Sequence, residues 1–468
     1  MVKPKSTTLD LTEACNLACD YCFTWSKHKP RKLNLELGKR IINWWLPQTE
    51  EGNVQVSFWG GEPLLEWGML KKLVHHTNEL NKRYNRVLEY GGTTNGLLYT
   101  PDKVEWCLEH KSLFLVSLDG IQPVHDAHRK TPNGKGSWKI VDKNLREALK
   151  ITPLQRIRSA ISADSVEYFY ENLLYFVEDL GISNFAFSPV FECDWDEKAI
   201  DTLSEQFELA INYIVKKAKE GKEIILKHLN DEANISKISN KTIQNPCGAG
   251  SGYTGWSVDG FMFPCHRFNK HGITTKERSK SALIIARPKG NSFEYCNKEW
   301  RKQFIEWKDN VPKQCKNCSI FGTSVCNGGC YAVNWDLTGS LIKQPKSVCD
   351  YNKIQHEAGL KYAKLAKENE INIPSPGWGE NIQPTSNLQS SDESCVCYNM
   401  CYMEGTQNEI IHIDRRSDSM CICYNTSYTG SRDPQHRTVE ELDKQKEAER
   451  RIINAASNFV ESSSEVKK

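Results

Sequence analysis

Cys15-Asn16-Leu17-Ala18-Cys19-Asp20-Tyr21-Cys22 sets three cysteines at the spacing C-x3-C-x2-C on a predicted loop. Cysteines this tightly spaced in an intracellular chain point to a metal. Three thiolates supply ligands for three irons of a four-iron cluster and leave the fourth iron open. A zinc site is the alternative. Zinc usually takes four ligands, and His28 is the one conceivable fourth partner nearby.

The chain around this stretch alternates between two periods. Residues 7–11 read as a strand that runs into the cysteine loop, and residues 34–46 as a helix with Leu35, Ile41, Ile42 and Trp45 on one face. Residues 54–59 form a second predicted strand ending in Gly60-Gly61-Glu62-Pro63, followed by a helix over 67–84. A third strand over 88–93 ends at Thr94-Asn95-Gly96, and Pro101 opens the next helix. A fourth, over 113–118, ends at Asp119-Gly120. Strands over 156–162 and 184–188 follow, with helices near 138–150, 165–180 and 197–220. Repeated strand–helix alternation predicts an α/β fold with a parallel sheet. Six such units suggest a partial (β/α)6 barrel of the TIM type. Every polar motif just quoted follows the C-terminal end of a strand, the face where such barrels gather their active sites.

The first cysteine stretch resembles the CxxxCxΦC signature of radical S-adenosylmethionine (SAM) enzymes, with Tyr21 as the aromatic Φ. The resemblance implies that Cys15, Cys19 and Cys22 hold a 4Fe–4S cluster whose open iron is chelated by SAM. One electron then cleaves SAM to methionine and a 5′-deoxyadenosyl radical, which takes a hydrogen atom from substrate. It further implies that Tyr21 contacts the adenine. Gly60, Gly61 and Glu62 match the family's GGEP motif, which binds the SAM amino group, and Asn95 falls at the same mouth. Ser117-Leu118-Asp119-Gly120, with His125, Asp126 and Arg129, resembles the S-x-D-G…H-D…R stretch of members that modify peptides and sulfatases. By that match Ser117 and Arg129 hold the SAM ribose and carboxylate; a guanidinium grips a carboxylate in two places. A surface ion pair is the alternative reading of Arg129.

The second half carries Cys247, then Asp259-Gly260 as a hairpin signal, then Cys265. Cys315, Cys318, Cys326, Cys330 and Cys349 follow. Two zinc sites could be written from them. The order C-x12-G-x4-C, C-x2-C-x7-C-x3-C, C resembles the SPASM domain, which carries two auxiliary 4Fe–4S clusters, apart from a middle spacing of seven where five is usual. The match implies one cluster on Cys315, Cys318, Cys326 and Cys349, and another on Cys247, Cys265 and Cys330. The second set is one ligand short. Its last iron is open to a substrate thiolate or to water, or is closed by Cys193 or Cys296. His266, directly after Cys265, stands where sulfatase-maturing members carry Asp, which makes the stretch more similar to crosslinking peptide maturases. His266 is therefore an expected catalytic residue.

The 468 residues predict a radical SAM core over 1–230, a SPASM domain over 231–360, a helix end and linker over 361–394, and a tail over 395–468. Residues 221–245 read as a polar linker. The tail repeats Cys395-Val396-Cys397-Tyr398-Asn399 as Cys421-Ile422-Cys423-Tyr424-Asn425, with Cys401 near the first copy, and ends in a charged helix over 436–461 and a frayed end. A net charge of +2, from 61 basic and 59 acidic residues, points away from nucleic acid or membrane as partner. Without a signal-like apolar segment a cytoplasmic protein is expected, so the eighteen cysteines read as metal ligands rather than disulfides. Cys107, Cys193 and Cys296 stand alone and read as small buried apolar residues. The expected partners are a peptide or protein substrate and reduced ferredoxin or flavodoxin as electron donor. The expected reaction is a thioether or carbon–carbon crosslink. Formylglycine formation on a sulfatase is the second reading, and an iron–sulfur electron carrier or scaffold the third.

Overall fold

The computed structural model describes residues 3–24, 29–153, 155–235, 247–306, 311–323, 326 and 328–374. His28, the linker beyond 374 and the Cys395–Cys423 repeat lie outside the described residues.

The strands β1 (Ser6–Thr12), β2 (Asn53–Gly60), β3 (Val87–Thr94), β4 (Ser112–Ser117), β5 (Ile157–Ile161), β6 (Asn184–Pro189) and β7 (Ile225–Leu226) lie side by side in chain order, all parallel. Between them run α1 (Leu35–Trp45), α2 (Trp67–Asn81), α3 (Pro101–Glu109), α4 (Gln122–His128), α5 (Trp138–Ile151), α6 (Phe169–Leu174) and α7 (Glu197–Lys219). The expected partial barrel is present, with β7 as a short seventh strand.

Local chemistry explains these elements. Asn34 caps α1 by accepting from the backbone N–H groups of Glu36 and Leu37, and the helix buries Gly38, Ile41, Ile42 and Trp45 at helical spacing. Asp196 caps α7 in the same way through Ala199 N. Strand β1 is buried throughout, so its alternation separates two interiors. Leu9 and Leu11 face one layer. Thr8, Asp10 and Thr12 face the other, in register with Ser57 and Trp59 of β2. The polar layer is the barrel lumen.

The second half does not form a detached module. Strand β8 (Tyr253–Trp256) pairs parallel with the free edge of β1. Strands β9 (Met262–Phe263), β10 (Ala286–Lys289) and β11 (Ser292–Tyr295) continue outward antiparallel, which makes one eleven-stranded sheet. The Asp259-Gly260 signal does make a turn between β8 and β9, and Gly260 there takes a positive φ that favours glycine. Trp44 of α1 closes the joint. Its ring centroid lies 5.7 Å from that of Trp256. Phe293 lies 5.7 Å from it as well. Tyr295 is nearer, at 5.0 Å. Tilted and edge-on aromatic contacts of this kind add to the burial itself.

Residues 221–235 are not linker. They supply β7 and the helix α8 (Lys227–Ile235), because Ile224, Leu226, Leu229 and Ala233 bury despite polar neighbours. After α9 (Thr275–Arg278), α10 (Lys298–Ile305), α11 (Lys313–Lys316) and α12 (Tyr331–Thr338), the helix α13 (Lys346–Glu368) returns to pack on α7 and α8. Expected boundaries at 230 and 360 therefore fall inside helices. Among the described residues no helix is long and apolar enough to cross a membrane.

Candidate active site and cluster-binding cysteines

The loop after β1 presents Cys15, Cys19 and Cys22 as free, partly buried thiols. Burial pushes Cys15 up to about 12, with Glu62, Cys19 and Cys22 adding to the effect. Burial likewise lifts Cys19 to about 11, against the pull of Arg129. The three sulfurs therefore feel one another, and their common ionisation needs positive charge between them. Irons supply that charge. A single ion needs all its sulfur ligands at about 2.3 Å. Among the described residues no group of three or more His, Cys, Asp and Glu side chains is arranged to hold one.

The Gly60-Gly61-Glu62 turn lies against this loop. A Cβ on Gly60 would meet Thr12 O, and one on Gly61 would meet Ala14 O, so only glycine lets β2 end this close to β1. Glu62 is fully enclosed. Oε1 accepts from Leu64 N (3.0 Å) and Thr94 Oγ1 (2.9 Å), and Oε2 from Asn95 N (2.7 Å). Asn95 in turn donates through Nδ2 to Asn16 Oδ1 (2.6 Å) and to Cys15 Sγ (3.6 Å). Glu62 thus fixes Asn95, and Asn95 fixes the first cysteine.

Tyr21 reaches the opposite wall. Its hydroxyl donates to Asp119, whose Oδ2 also accepts from Arg129 Nε at 2.8 Å. Asp119 Oδ1 accepts from Ala160 N at 2.9 Å. The Arg129 guanidinium lies 5.5 Å from the Tyr21 ring centroid. That distance is within reach of a cation–π contact. The His128 ring lies 5.4 Å from the same centroid. Burial opposes ionisation of Asp119, but Arg129 and His125 outweigh it and its pKa falls below the usual carboxylate range. Arg129 is therefore not a surface ion pair: it is held by a buried carboxylate beside the cysteine loop. Buried Ser117 ends β4 directly before this group. His125 is held neutral by burial, with its pKa lowered to about 4, and bonds Ser137 Oγ at 2.9 Å.

In the second half, Cys265 has Cys330 and Cys247 as electrostatic neighbours, and Cys349 has Cys326 and Cys315. Cys315 adds Cys326 and Cys318. Gln344 stands between Cys326 (3.5 Å) and Cys349 (3.8 Å). Three of these cysteines are thus electrostatic neighbours in one group and four in another. Gly255 in β8 lets the segment after Cys265 cross close over the strand: a Cβ there would come within 2.6 Å of His266 N.

Both lone cysteines have partners outside the set of three. Cys193 Sγ donates to Val190 O (2.9 Å) and accepts from Ala163 N (3.4 Å), with Asp164 and Glu192 as charged neighbours. Cys296 Sγ contacts Ile284 O at 3.7 Å. Cys193→Ser is therefore expected to retain the full iron content of the parent, read by iron analysis and EPR. Loss of about four irons would place Cys193 on a cluster.

His266 is enclosed by aromatic rings, 4.4 Å from Trp59 and 6.0 Å from Phe23, and its Nδ1 pairs with Tyr253 Oη at 2.6 Å. Burial, with Arg267 and Arg158, pushes its pKa far down and keeps it neutral. Beside it Asp10 holds Asn269 Nδ2 and His271 Nε2 (2.8 Å). Neither Asp10 nor Asn269 nor His271 is a sequence-predicted site residue. A charged residue in the middle of an apolar strand is the signal that could have marked Asp10.

Known proteins place this geometry. Residues 9–154 match the Radical SAM superfamily model. The chain is 22% identical to the radical SAM cyclopropyl synthase TigE of Paramaledivibacter caminithermalis, over 75% of this chain and 72% of TigE. It is 24% identical to a cysteine-type anaerobic sulfatase-maturating enzyme of Clostridium novyi, over 70% of this chain and 87% of that enzyme. The fold is that of anSMEcpe, solved with bound AdoMet and the Kp18Cys peptide, with a TM-score of 0.59 at 19% identity, covering 78% of this chain and 99% of that one.

Proposed function

We propose that this chain, a radical SAM enzyme, modifies a peptide or protein after translation, most directly by a thioether or carbon–carbon crosslink, and carries two auxiliary clusters beside its SAM site. When bound, SAM on the cluster of Cys15, Cys19 and Cys22 supplies the radical that takes a hydrogen atom from substrate.

The chain's own groups set the geometry for this. Asn95 and Glu62 hold the cysteine loop in place. By the resemblance, the Gly60-Gly61 turn beside the cysteine loop meets the SAM amino group. Asp119 orients both Tyr21 and Arg129, so the ring offered to the adenine and the cation offered to the carboxylate form one rigid unit. Cys315, Cys318, Cys326 and Cys349 hold one auxiliary cluster; Cys247, Cys265 and Cys330 hold the other. A reduced ferredoxin or flavodoxin fits as donor.

The observation that carries the choice of reaction is His266. A neutral, buried imidazole stands where the resemblance places a carboxylate in sulfatase maturases. Formylglycine formation is the competing reading, favoured by the likeness to the Clostridium novyi enzyme. Mass spectrometry of a Cys-containing peptide after turnover separates them. A loss of two hydrogens with sulfur retained is expected. Loss of sulfur with aldehyde formation would make the chain a sulfatase maturase.

A further inference from the structure

Arg267 stands where three parts of the molecule meet. It follows Cys265 by two residues, and its guanidinium lies 4.3 Å from the ring centroid of Phe23, the residue after Cys22. It forms an ion pair with Glu192, just beyond β6. Its leading electrostatic partners include Cys330 and Cys265. Its Nε is buried and has no hydrogen-bond partner among the described residues. Asp336, the remaining acidic neighbour, is already paired with Lys270 at 2.8 Å.

A guanidinium is costly to bury and stays charged. Here one carboxylate offsets it, and Cys330 and Cys265 of the set of three are among its electrostatic neighbours. A cluster gains negative charge on reduction, and its potential follows the charge and hydrogen bonding around its sulfurs. A fixed cation beside it therefore stabilises the reduced form.

We propose that Arg267 is a positioning residue that raises the reduction potential of the cluster on Cys247, Cys265 and Cys330, so that this cluster accepts electrons more readily. The proposal rests on the cluster assignment above.

The test is an EPR-monitored redox titration of the anaerobically reconstituted full chain. The relevant signal is the one missing from Cys330→Ala. In Arg267→Met this signal should reach half-reduction at a more negative potential than in the parent, while the signal lost with Cys15→Ala keeps its potential. Arg267→Lys, which keeps the charge, should recover most of the shift. Glu192→Gln removes the counter-charge and should move the potential the other way, to more positive values. An unchanged potential in Arg267→Met overturns the proposal. If Arg267→Met does not load the cluster, an unchanged potential in Glu192→Gln overturns it instead. A parent chain without any signal that depends on Cys330 overturns the cluster assignment, and the proposal with it.

Discussion

Cys15→Ala, Cys19→Ala and Cys22→Ala together are expected to remove about four of about twelve irons and to abolish 5′-deoxyadenosine formation. The sulfurs of this loop are partly buried and repel one another when ionised, so they act as a set. The remaining irons should stay, because the cysteines proposed for the two auxiliary clusters sit on segments from Cys247 onward. Iron analysis and chromatographic assay of 5′-deoxyadenosine read both effects. A triple variant that still cleaves SAM would place the radical chemistry elsewhere.

Arg278→Met is expected to cost about 3–5 kcal/mol of stability, seen as a lower urea midpoint at unchanged m-value. Arg278 has no exposed side-chain surface. It donates to Glu13 Oε1 (2.9 Å), Asp259 Oδ1 (2.7 Å) and Lys270 O (2.7 Å). Arg31 pairs with the same two carboxylates, at 2.9 Å and 2.8 Å. Two cations thus balance two anions. Burial opposes ionisation of Glu13, yet both arginines together hold its pKa below the usual range. Without Arg278, two buried carboxylates share one cation. Because Glu13 lies two residues before Cys15, the same change should loosen the cysteine loop. Arg287–Glu294 makes the control: that pair is exposed, and Arg287→Met should leave the midpoint unchanged.

The barrel was legible because its strands are apolar and alternate with amphipathic helices such as α1 and α5. The cysteines were legible because ligand spacing is a local property of a loop; the resemblance implied two later sets, and the fold makes Cys330 and Cys247 electrostatic neighbours of Cys265, and Cys326 and Cys315 those of Cys349. Other parts needed the third dimension. Tyr21 and Asp119 are 98 residues apart, Glu13 and Arg278 265, and Asp10 and Asn269 259. Each pair joins polar residues whose own neighbours in sequence say nothing of a partner. Strands β10 and β11 also escaped, since Arg287, Pro288 and Lys289 are exposed residues with no apolar alternation. Their place in the sheet comes from pairing with β9 and from the aromatic contacts to Trp44. The continuity of β8 with β1 was hidden for a related reason: a four-residue strand interrupted by Gly255 carries little pattern of its own.

The central claim is that this chain cleaves SAM reductively at the cluster loop. The most direct test is to incubate the anaerobically reconstituted, dithionite-reduced full chain with SAM and to quantify the products. Equal amounts of 5′-deoxyadenosine and methionine are predicted. SAM recovered intact from a protein with its full iron content would contradict the account.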